Sequence, residues 1–169
     1  MQEKQPIKYS DIKIIVDALI NLINKFPELP PNIKKGGILF EQSKPQNISM
    51  CLSTIPSGSI IDKTYICGKY IGIYTFKLIL QKMSVTNEQR IDAQDILGKI
   101  VVWLEKSPIE KADGEVYKLE EYPPLDETRT IQKIEQISNP RIVQRLEPNI
   151  EISEVNLRLK FEVEPKEFF

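Results

Sequence analysis

From residue 154 to 164 the chain reads EVNLRLKFEVE. Val155, Leu157, Leu159, Phe161 and Val163 alternate without a miss against Asn156, Arg158, Lys160 and Glu162. Side chains of a strand point to opposite faces in turn, so this spacing predicts a strand with one apolar and one charged face. A second long strand is predicted over 70–83, YIGIYTFKLILQKM. Its even face carries Tyr70, Tyr74, Phe76, Leu78 and Leu80, and its odd face Ile71, Ile73 and Ile79. Apolar residues on both faces predict a central strand covered on both sides. Gly72 inside it predicts a bulge or a close approach of another backbone.

Two segments follow the helical period instead. In DIKIIVDALINLINKF, Ile12, Ile15, Val16, Leu19, Ile20, Ile23 and Phe26 fall on one face, with Ser10 as the N-cap. This predicts a helix over 10–26, ended by Pro27, with a turn at LPPN (29–32). The capping box TNEQ (86–89) opens a second helix over 86–105, whose buried stripe is Ala93, Ile96, Leu97, Ile100, Val101 and Leu104 with Trp103 at its border. Between them, short broken strands lie in GILFE, ISMCL and KTYIC. Three further strands are expected over 130–138, 142–147 and 150–163, separated by Asn139-Pro140 and Pro148-Asn149. Ile150 and Ile152 are in even register while Val155 onward is odd, which predicts a bulge or bend at Ser153-Glu154.

The order helix, strands, helix, strands defines an α+β fold, a mostly antiparallel sheet with two main helices packed on one face. The 169 residues suit one domain, 1–169. Segments 53–69, with its serines, Pro56 and Gly58, and 110–128, with Asp113-Gly114 and Tyr122-Pro123-Pro124, read as mobile surface loops.

Composition narrows the function. There is no histidine, so Ser-His and Cys-His nucleophile pairs and imidazole metal sites are absent. Two cysteines, Cys51 and Cys67, are too few for a disulfide framework or a structural zinc site. The acidic run YKLEEYPPLDE sits among prolines and reads as a solvated loop, SDIK (10–13) as a helix cap, and Gly68-Lys69 lacks the rest of a phosphate loop. No enzymatic activity, cofactor or metal is expected. A formal net charge of -1 offers no overall basic excess for a phosphate backbone, which disfavours non-specific DNA binding, and no sequence-specific nucleic-acid partner is expected either. The polar first residues, and the lack of 18 to 20 consecutive apolar ones, point to a soluble intracellular product without a membrane partner.

What remains is charge arranged on strands. Arg141 and Arg145 are expected on one face of their strand, with Val143 between them. Together with Arg158, Lys160 and Glu162 they form a candidate interface displaying both signs, complementary to a second copy.

In its order of elements the chain resembles the tail terminators and related minor structural proteins of tailed bacteriophages. The resemblance is carried by the opening helix DIKIIVDALINLINKF, the unit YIGIYTFKLILQKMSVTNEQRIDAQDILGKIVVWLEK and the closing NPRIVQRLEPNIEISEVNLRLKFEVE. It implies a virion protein, made in the host cytoplasm, that forms a ring, usually a hexamer, on the head-proximal end of the tail tube. Its partners would be its own copies, the tail tube protein and the head-tail connector protein, with DNA passing through the lumen. A head-tail joining protein and a cytosolic non-enzymatic binding module are the alternative readings.

Overall fold

The computed structural model describes residues 10–41, 48–56, 61–83, 86–146 and 149–164. Its centre is a ribbon of two strands, β4 (Tyr70–Met83) and β9 (Ile150–Val163), 14 residues each. They pair antiparallel along their whole length, from Tyr70 opposite Val163 to Met83 opposite Ile150. Each long strand is flanked on its outer side by two shorter strands placed end to end. Along β4 these are β2 (Ile48–Thr54) and β3 (Ile61–Thr64). Along β9 they are β7 (Arg129–Gln136) and β8 (Arg141–Leu146). β1 (Ile38–Phe40) adds a parallel edge to β2, completing a seven-stranded sheet.

The helices cover one face. α1 (Ser10–Asn24) and α3 (Asn87–Leu104) bury Ile15, Leu19 and Ile23, and Leu97, Ile100 and Leu104, against Phe76, Leu78, Leu157 and Leu159. Leu159 is fully buried, as the alternation predicts. α3 opens with the expected box: Gln89 N donates to Thr86 Oγ1, and Thr86 N donates to Gln89 Oε1. The side chain of Ser10, expected as the cap of α1, lies outside the described residues. The α+β architecture with both main helices on one side of a mostly antiparallel sheet is as the sequence pattern predicts.

Five local expectations are corrected. LPPN does not simply turn: Pro31 starts a short helix, α2 (Pro31–Gly36). Proline suits a first helical position because its missing N–H needs no partner there. β4 is central, but among the described residues elements cover it on one side only. Ile71, Ile73 and Ile79 stand on the outer face, partly shielded by the long polar side chains of β9 beside them. β9 has no bulge, because its inward face begins with two buried polar residues, Glu151 and Ser153, so the register never changes. The irregularities sit instead in the flanking strands, between Ile131 and Lys133, Ile142 and Gln144, and Ile61 and Lys63. At Gly72 the bulge is in the paired strand β3 and not in β4 itself, and the close neighbour is a side chain: a Cβ there would overlap the ring of Phe161, its cross-strand partner on β9.

The fifth correction concerns the loops. In 110–128, β6 (Val116–Tyr117) closes a small hairpin on β5 (Ile109–Glu110). The proline run is then strapped down. Tyr122 Oη donates to Leu104 O at 2.6 Å and accepts from Ile134 N at 3.3 Å. Asp126 accepts from the backbone N–H groups of Thr128 and Arg129 and from the Arg129 guanidinium. Of segment 53–69, residues 57–60 lie outside the described residues. The rest is the end of β2 and a tight hairpin joining β3 to β4.

Candidate interaction surface

The sheet face opposite the helices carries an ordered array of charge. β9 presents Glu154, Asn156, Arg158, Lys160 and Glu162 there, because strand alternation commits its other face to the core. Adjoining strands place Lys77, Lys133 and Glu135 beside them.

Much of this array is paired within the chain. Arg158 reaches Glu135 through Nη2 at 2.5 Å and Nε at 2.8 Å. Glu135 also takes Lys133 at 3.0 Å. Hydrogen bonds from Lys133 and then Arg158 hold its carboxyl below the ordinary value of 4.5. Glu162 pairs with Lys69 and accepts from Gln132. Glu154 lies 3.4 Å from Arg141 and 3.6 Å from Lys77. Lys160 faces Lys133 across the strands and has no ion pair among the described residues.

The structure therefore brings Arg141, Arg158, Lys160 and Glu162 to one face, and separates Arg145 from them. The extra residue between Ile142 and Gln144 reverses the alternation of β8, so Arg141 opposes Glu154 on the outer face and Arg145 opposes Glu151 on the inner one. Arg145 Nε is 3.5 Å from Glu151 Oε1, which also accepts from Arg90 Nε at 2.5 Å. The Glu151 side chain is only 5% exposed, so these two arginines compensate a buried charge and tie α3 and β8 to β9. Sequence reasoning missed Glu135, Lys69 and Lys77 as counterions. They lie far from β9 along the chain, and only the strand order brings them alongside.

Among the described residues no three Cys, Asp or Glu side chains converge as a metal site, and no helix is long and apolar enough to cross a membrane. Cys51 is buried in β2 and Cys67 is exposed, both as free thiols.

No family model matches this chain, and no curated protein matches it. Among the solved structures that match, one superposes with a TM-score of 0.38 at 10% identity, over 96% of this chain and 99% of the other.

Proposed function

We propose that this chain is a structural subunit of a phage-type tail. Copies of it would close into a ring, a hexamer by the family resemblance, on the end of the tail tube, stop further tube growth and offer a surface to the head connector. One observation carries the reading. The helices occupy one side of the sheet, while the other side stays free of described elements and displays interleaved cations and anions. Such a surface suits selective contact with another protein: complementary charges speed and orient the encounter, and like charges reject wrong partners. A ring subunit needs no reacting group, only a rigid sheet and surfaces that meet neighbours at a fixed angle.

The test is deletion of the gene from the genome that carries it, followed by electron microscopy of the tails. A terminator is required for length control, so tails are expected to overrun their normal length and fail to join heads. Tails of normal length that remain unjoined would assign the chain to the head-joining step instead. Capped tails of normal length carrying heads would end the proposal.

A further inference from the structure

The hairpin joining β3 to β4 carries its apolar residues where hairpins ordinarily carry polar ones. Tyr65 N donates to Lys69 O at 2.8 Å and Gly68 N donates to Tyr65 O at 3.0 Å, with Gly68 at φ 89. These two bonds and the left-handed glycine fix a three-residue tip, Ile66-Cys67-Gly68. Turn centres are ordinarily occupied by Gly, Asn, Asp or Pro, and an isoleucine there gains neither a turn preference nor burial. Ile66 is nevertheless there and 102% exposed, beside Tyr65 at 44%. Among the described residues nothing packs over that side chain.

A shallow groove lies on the β7–β8 side of the molecule. Ile91, Gln94, Asp95 and Gly98 of α3 form one wall, and Asn139 and Pro140 of the β7–β8 turn form the other. Ile91 is exposed, and Gly98 leaves open space above the helix: a Cβ there would meet nothing within 4 Å. Glu88 and Asp92 stand exposed on the same helix without an ion pair among the described residues, and on the hairpin Lys63 is exposed and equally unpaired.

Resting on the ring reading above, we infer that the hairpin tip of one copy seats in the α3/β7–β8 groove of the next, with Ile66 as the anchor. Three features point to a second copy as the occupant. The knob projects from the end of the ribbon at the β3–β4 hairpin and the groove lies along its β7–β8 edge, so the two are separate, non-identical patches, as a head-to-tail contact that propagates around a ring requires. Their unpaired charges are opposite in sign, Lys63 against Glu88 and Asp92. The tip is held in shape before contact by its two backbone hydrogen bonds, so little ordering is lost on docking. An exposed anchor entering a pocket is also the form that carries most energy in small interfaces.

Cys67, next to the anchor, makes the contact testable. In Gly98→Cys the new thiol enters open space, and Cys51 is too buried to compete. The full chain carrying G98C, concentrated and treated with a short bis-maleimide, is expected to give a ladder of dimers, trimers and larger species. The ladder should vanish in G98C/C67S and in G98C/I66D. Because Ile66 is fully exposed, I66D should melt within about 2 °C of the parent, so a lost ladder reports on contact and not on unfolding. No ladder, or only dimers that persist in G98C/C67S, overturns the inference. The ring reading is judged separately by tail length in the deletion strain, so an absent ladder with overgrown tails would reject this contact and keep the ring.

Discussion

At the scale of single residues the fold depends on fits that have little tolerance. Gly72 gives its space to the ring of Phe161, so Gly72→Ala forces the ring or the strand to move. Overpacking of this kind costs about 1–3 kcal/mol, read as a lower urea midpoint at unchanged slope. Phe161→Leu in the same chain should return part of that loss, since the two residues couple directly. The carboxylates supply an acid-sensitive component. Asp126 is pushed up by desolvation but held below its ordinary 3.8 on balance by hydrogen bonds from Thr128 and Arg129. Glu135 is also lowered. A folded-state value below the unfolded one gives stability that is complete above the unfolded value and is lost as pH falls through the folded one. Stability should therefore be flat above about pH 5 and decline below about pH 4. Asp126→Asn should be less stable at pH 7 and lose less on acidification, as denaturant titrations at both pH values would record.

At the scale of elements, the strap over 122–126 shows what spacing alone hides. Tyr122 Oη bridges the end of α3 to β7, and Lys106 lies 4.2 Å over its ring. Tyr122→Phe leaves Leu104 O and Ile134 N without that partner and should cost about 1–3 kcal/mol. Local protection from hydrogen exchange should fall at both ends of the bridge. The sequence contains the prolines that stop a strand here, but the partners that hold the segment are distant in the chain. The same limit explains β8. Arg141 and Arg145 are spaced for one face, and nothing in RIVQRL marks the extra residue that turns them apart. It also explains β9, where Glu151 and Ser153 look outward by chemistry and are inward by geometry. The long periodic elements were legible because their period repeats over many residues: α1, α3, β4 and the apolar face of β9. Buried polar residues and bulges break the period for one or two positions and are visible only beside their partners.

At the scale of the whole molecule, the candidate surface was legible as charge but not as pairing. Four of the five expected residues share the outer face, yet Arg141, Arg158 and Glu162 already have counterions within the chain. Arg145 is a poor probe of assembly, because reversing it places a carboxylate beside Glu151 and strains the subunit itself. Lys160 is the better one. In Lys160→Glu the new carboxylate faces Lys133 across the strands, so the monomer should change in stability by less than about 0.5 kcal/mol. Association through this face should weaken, and its dependence on salt should change, in sedimentation at low and moderate ionic strength.

The β4–β9 ribbon also sets an order of events during synthesis. Tyr70–Met83 leaves the ribosome well before Ile150–Val163, and until the later strand arrives one whole side of β4 has no hydrogen-bond partner. Its apolar face, from Tyr74 to Leu80, is then roofed only in part. Unpaired apolar strands in nascent chains are prone to self-association. A chain stopped after Asn149 should accordingly collect in the insoluble fraction. Supplying residues 150–164 as a separate peptide during refolding should recover soluble material, since that segment alone brings the missing edge.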